Sequence, residues 1–282
     1  MTSVIHDIGY QRYQGARLGR GFAVRSLYLH SLRTAYGLGR SAKAKIFSWL
    51  VAGLVLTVAA VVAGVRAITG EVLMDYPEFA DGAVVLVVLF VAVVAPELVS
   101  RDLRSGVLAL YFSRPLRRTD YAWAKLAALV SALWLLLAAP MLVMFVAGAF
   151  SMDSWSGVWR EAGDFAGGLG YAALYAVVFG SIALAIASLI GRRAVAAGAV
   201  VAAFLVTTPV VGLLEVVGGE NAQYLAGLFS PATLMLGVHG WLFGEVDALY
   251  PGPFGLWYGV VTVAVVAAFT GALLMRYRRV QR

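Results

Sequence analysis

The run IFSWLVAGLVLTVAAVVAGV, residues 46–65, contains no charged side chain. About 20 apolar residues in a helix cross roughly 30 Å of hydrocarbon while every backbone hydrogen bond is made inside the segment. Five further stretches read the same way or nearly so: 82–96 between Asp81 and Glu97, 126–152, 165–191, 194–214 and about 254–275. Pro140 falls inside the third and is expected to kink it. Composition agrees, since 61% of the 282 residues are hydrophobic and only 13% charged, against about 25% charged in an ordinary soluble domain. The expectation is an all-α membrane protein with six transmembrane helices over 46–275. A cytosolic segment, 1–45, precedes them and a basic tail, 276–282, follows. Some 45 mostly polar and basic residues stand before the first apolar run, so a signal peptide is not expected.

The charges between the runs alternate in sign. Residues 1–45, 97–125, the pair Arg192-Arg193 and the tail together hold twenty cations and four acids. The connections 66–82, 153–164 and 215–247 together hold two cations and eleven acids. Short loops rich in Lys and Arg stay in the cytoplasm. Both termini are therefore expected on the cytoplasmic side of a cell (inner) membrane. The net charge of +7 splits into +16 on one face and −9 on the other, so it reads as orientation and not as a nucleic-acid surface.

Residues 221–244 are also uncharged and could pass for a seventh span. A seventh crossing would carry the Arg-rich tail to the outer side. The segment contains Gln223, His239, Ser230-Pro231 and several glycines, so it is expected to form an outer re-entrant or interfacial pair of short helices broken near Ser230-Pro231, within a connection of about 216–247.

Several chemistries are excluded. The chain has no cysteine, which removes disulfides, thiolate metal sites and cysteine nucleophiles. His6, His30 and His239 are too far apart for a local metal motif. The only lysines, Lys43, Lys45 and Lys125, are not followed by Ser or Thr, so no phosphate-binding loop of the form G-x-x-x-x-G-K-[ST] exists in this sequence. No catalytic cluster is visible, and the chain is not expected to be an enzyme.

The connection between the second and third runs carries the most information. Leu103, Val107 and Leu110 recur at helical spacing, predicting a short amphipathic helix over 100–112, with Arg101, Asp102 and Arg104 facing water or a partner. Arg114-Pro115 ends it, and Thr119 or Asp120 can cap the next span. Glu97 stands four residues before Arg101, the favourable order for a helical ion pair. Upstream, Tyr28, Leu29, Leu32 and Tyr36 share an arc opposite His30, Arg33 and Thr34, which predicts a basic amphipathic helix in the membrane interface. Glu97 and Glu215 are the acids nearest hydrocarbon, where a charge is costly. Gly163-x-x-x-Gly167 and Ala176-x-x-x-Gly180 allow close helix approach. Tyr171, Tyr175, Ser181, Thr207 and Thr208 could line a pathway, although hydroxyls in spans commonly bond their own backbone.

The pattern Glu97…Arg101-Asp102-x-x-Ser105-Gly106-x-Leu108…Ser113-Arg114-Pro115-x-x-Arg118-x-Asp120-Tyr121-x-x-x-Lys125 resembles the cytosolic loop of type-2 ABC transporter permeases, with Val107 where that family often has Thr. The likeness extends to the basic N-terminal segment, the six runs and Phe229-Ser230-Pro231. It implies the membrane subunit of an ABC exporter, in which Glu97, Arg101, Asp102, Arg104, Ser105, Gly106, Leu108, Arg114 and Pro115 form or flank a coupling helix that receives an ATPase, and Ser230 and Pro231 belong to an outer gate. It implies as partners two ATPase subunits, which hold ATP and Mg, and a second permease subunit; membrane lipid surrounds the spans. No cofactor is expected in this chain. Two rivals follow from the same residues: an ABC-type membrane subunit that transmits force to an extracytoplasmic partner, and an ion-coupled secondary transporter. The second is disfavoured because the middles of all six runs lack Asp, Glu, His and Lys.

Overall fold

The computed structural model describes residues 15, 18–39, 42–106, 111, 116–244 and 251–279, apart from the side chains of 42–44, 215 and 220. Among them the fold is all-helical. Six helices, or pairs of consecutive ones, are long and apolar enough to cross a membrane: Lys45–Thr69, Val84–Arg104, Arg118–Phe150, Trp155–Leu189, Arg193–Leu214 and Gly252–Arg279. This is the architecture of a multi-pass membrane protein.

In chain order the helices are α1 (Arg20–Ala35), α2 (Ala42–Thr69), α3 (Tyr76–Gly82), α4 (Val84–Leu98), α5 (Ser100–Arg104), α6 (Arg118–Phe150), α7 (Trp155–Leu189), α8 (Arg193–Leu205), α9 (Thr208–Val217), α10 (Glu220–Ala226), α11 (Pro231–Phe243) and α12 (Gly255–Arg279). The antiparallel pair α6 and α7 forms the spine. Helices α1 and α2 lie against α6, while α3, α4, α8 and α12 lie against α7. Small residues permit the close approach: a Cβ on Gly180 would stand 3.1 Å from Val130 of α6. Just before Gly180 in α7, Tyr175 and Phe179 stack in series with Phe204 of α8, with centroids 4.4 and 4.7 Å apart.

The bundle has a basic end, holding α1, α5 and the starts of α6 and α8, and an acidic end, holding α3, α11 and the start of α7. Two spans begin earlier than their apolar runs suggest. Helix α7 starts at Trp155, with Ser154 accepting from the Gly157 N–H at 3.2 Å, so Glu161 and Asp164 lie inside the helix rather than in a loop. Helix α6 starts at Arg118, where the Asp120 carboxylate accepts from the Arg117 N–H at 3.0 Å and supplies a first-turn cap. It continues through Pro140 to Phe150.

The fifth run is divided into α8 and α9. Pro209 lacks an N–H, and the Thr207 and Thr208 hydroxyls donate to the Phe204 carbonyl at 3.1 and 3.3 Å across the break. The segment 221–244 is likewise not one helix: α10 is followed by a 3-10 turn, Gly227–Phe229, extended backbone at Ser230 and then α11, with Pro231 at its first position. Left-handed Gly244, at φ 74°, ends α11.

Helix α1 runs beside the first half of α6. Tyr28 donates to Ser131 Oγ at 2.9 Å and Tyr36 to the Ala132 carbonyl at 2.7 Å. Its buried stripe is Leu27, Ser31 and Ala35, and Leu29 is exposed, contrary to the arc expected from the projection. Small side chains at 31 and 35 let the helix sit closely, which an apolarity count does not register.

Candidate functional site at the basic end

The expected coupling segment begins as a helix and is tied into the bundle from several sides. Helix α5 follows α4 after one non-helical residue, Val99, and its described part ends at Ser105 and left-handed Gly106, φ 68°. Residues 107–110 and 112–115, among them Leu108, Arg114 and Pro115, lie outside the described residues. Ser100 is fully buried, and its hydroxyl donates to the Ala187 carbonyl near the end of α7 at 2.9 Å. Leu103 packs against the core.

Glu97, at the end of α4, joins two cations. Arg193 Nη1 at the start of α8 lies 2.6 Å from its Oε2, and Arg101 Nη1 lies 3.4 Å from its Oε1. The shorter pair is thus with the fifth span, a partner that sequence spacing cannot reveal. Asp102 does not face water as expected. It turns inward and accepts from Lys125 Nζ and the Tyr121 hydroxyl of α6, each at 2.8 Å. Arg101, Arg104 and Ser105 are exposed. Immediately before Tyr121, Asp120 receives a two-pronged contact from Arg20 of α1 at 2.7 and 2.5 Å. Arg118 donates to the Arg278 carbonyl of α12 at 3.1 Å.

The side chains of Glu97, Asp102 and Asp120 are 11%, 16% and 11% exposed, whereas those of Arg101, Arg193 and Arg20 are 59%, 59% and 46% exposed. Acids are therefore the inward members of this network and most cations its outward members. Residues 97–106 are thus tied to α4, α6, α7 and α8, four of the six spans.

The acidic end inverts the arrangement. Arg66 of α2 and Glu161 of α7 form a two-pronged pair at 2.7 and 2.6 Å, with side chains 11% and 8% exposed. The Tyr76 hydroxyl of α3 donates to the same carboxylate; burial and that carboxylate push the Tyr76 phenol above its usual range, so it remains a proton donor. Gly148 of α6 makes room, since a Cβ there would stand 2.6 Å from Arg66 Nη1. Beside it, Asp81 accepts from the Tyr171 hydroxyl at 2.6 Å and lies 2.8 Å from His239 Nδ1, linking α3, α7 and α11. Asp75 and Glu78 form a capping box on α3.

Of the expected gate residues, Ser230 is buried with its Oγ lacking a partner among the described residues, and Pro231 opens α11. The Glu215 side chain lies outside the described ones. Ser181 bonds Val178 in its own helix, Thr207 and Thr208 bond the preceding helix, and Tyr171 and Tyr175 are packed in the core. Among the described residues no group of three or more His, Cys, Asp and Glu is placed to hold a metal ion. No protein-family model and no curated protein matches the chain.

Proposed function

We propose that this chain is the permease subunit of an ATP-driven ABC transporter that exports a hydrophobic or amphipathic substrate. The observation that carries the reading is the multiple anchoring of 97–106. A push on this short exposed helix reaches α7 through Ser100, α6 through Asp102 with Lys125 and Tyr121, and α8 through Glu97 with Arg193. A lipid-surface helix has no need of these ties; a segment that receives force from outside the bilayer does. With no phosphate-binding loop in the sequence, ATP and Mg belong to a separate ATPase, which docks on the exposed side chains of Arg101 and Arg104. The uncharged middles of the spans suit an apolar cargo, and a second permease copy completes the pathway. In this reading the basic end is cytoplasmic, α1 lies at the cytoplasmic interface, and α10 and α11 form the re-entrant outer gate.

The native absence of cysteine permits a direct test. Arg104→Cys, treated in its native membrane with a heterobifunctional thiol-and-amine reagent, is expected to cross-link to an ATPase subunit, with a yield that changes when ATP is added before the reagent. Glu97→Ala is expected to insert normally but to separate ATP hydrolysis from transport. Failure of any ATPase to co-purify, together with transport that persists without ATP and collapses with a proton uncoupler, overturns the reading.

A further inference from the structure

Beside α5 at the basic end lies an open groove of about 1000 Å³, bounded by Val93 of α4, Leu103 and Arg104 of α5, Gly191 and Arg192, and the first residues of α8, Arg193 to Ala197. Its walls are of two kinds. Val93 and Ala197 lie about one helical turn, roughly 6 Å, deeper toward the bundle middle than the Glu97–Arg193 level, and Val195 about half that. At the mouth stand Arg104 and Arg192, both exposed and neither paired with an acid among the described residues. They differ in this from Arg20, Arg66, Lys125 and Arg193, each of which meets a carboxylate. The start of α8 adds no acid and no side-chain cap.

The geometry points to this groove as a binding site for one anionic phospholipid of the surrounding bilayer. Its phosphate lies between Arg104 and Arg192, and an acyl chain lies on Val93, Val195 and Ala197. A guanidinium matches phosphate oxygens with parallel hydrogen bonds, and basic pockets between spans at the membrane surface select anionic headgroups. An acidic peptide would satisfy the arginines, but its backbone would lose water over a floor that extends a turn into hydrocarbon, where each unpaired peptide group costs several kcal/mol. A free phosphate would leave the apolar walls unused. Arg193 is held back by Glu97, so it sets the shape of the mouth while Arg192 supplies free charge. The inference shares Arg104 with the transport reading, so its test turns on Arg192 and Val195, which that reading does not use.

The test uses the full chain in phosphatidylcholine nanodiscs doped with phosphatidylglycerol carrying a labelled acyl chain. Contact is read by quenching from a tryptophan-to-lipid pair or by native mass spectrometry of retained lipid. Wild type is expected to retain phosphatidylglycerol over phosphatidylcholine, and Arg192→Gln is expected to reduce that preference about fivefold, the factor for one arginine at a charged surface. Val195→Trp, at an exposed position that a larger side chain can occupy without disturbing the core, is expected to expel the lipid of either headgroup. Equal retention in wild type and both variants, with size-exclusion profiles unchanged, overturns the site. Inorganic phosphate competing as well as the lipid overturns the acyl-chain part. Unchanged lipid retention with loss of a co-purifying protein assigns the groove to that protein instead.

Discussion

The two ends of the bundle treat charge in opposite ways. At the basic end the acids among the described residues are enclosed and tie helices together, while most cations extend outward; at the acidic end the enclosed cation is Arg66, and surplus acids such as Glu71 and Asp164 are displayed. The scarce charge thus ties helices together at both ends, joined at the acidic end by Glu161 and Asp81 of the abundant sign, while most of the abundant charge is displayed. The physical reason is desolvation. An enclosed ion is tolerable only with a counter-ion at contact, and Glu97, Asp102 and Arg66 each have one.

Breaking the enclosed two-pronged Arg66–Glu161 pair tests the contrast most severely. Arg66→Leu leaves the Glu161 carboxylate enclosed without its counter-ion and is expected to cost about 3–5 kcal/mol, read as a fall in the unfolding midpoint in detergent. Adding Glu161→Leu should recover most of the loss, and a double variant no better than the single one contradicts the argument. At the other end Asp102→Asn is expected to cost about 2–3 kcal/mol, the worth of hydrogen bonds to a charged group. Arg101→Gln, on the exposed side of the same short helix, should change stability by less than about 0.5 kcal/mol in the same assay. If these two are equal, inward and outward members of the network are not distinct.

Glycines sharpen the comparison further. Gly148→Ala forces a methyl against Arg66 and Glu161 and is expected to cost about 1–2 kcal/mol, visible as faster proteolysis of the connection 66–82. Gly163, whose Cβ position is open, should accept alanine with a gain of up to about 1 kcal/mol. The smallest effect is expected for Arg160→Gln. Arg160 is the other cation at the acidic end, but it is exposed and has no acid partner among the described residues, so its loss should stay within about 0.5 kcal/mol by thermal unfolding.

How far the sequence reads depends on which residues are asked. The runs 46–65 and 194–214 announce spans because apolar length is a local property. The start of α6 is legible in Thr119 and Asp120 as cap residues, whereas that of α7 is hidden by Glu161, which looks like a loop residue until its partner Arg66 is known. Glu97 marked itself by standing at the edge of an apolar run, yet its partner Arg193 is almost a hundred residues away. Asp102 was expected outside, and only the approach of α6 shows why it turns in. Ser31 and Ala35 form part of the inner face of α1 because they are small, which no measure of hydrophobicity rewards.

By itself the sequence determined that this chain is built of about six apolar helices with a charge-sorted set of connections, because bilayer crossing and charge alternation are written in consecutive residues. It also determined that no phosphate-binding loop lies within it. The tertiary structure decided which charges are held and which are shown. It brought Arg66 to Glu161, Glu97 to Arg193, and Asp102 to Lys125, and it left Arg104 and Arg192 together over an apolar groove. Pairing between distant helices is fixed by packing around the α6–α7 spine, and no local pattern encodes it.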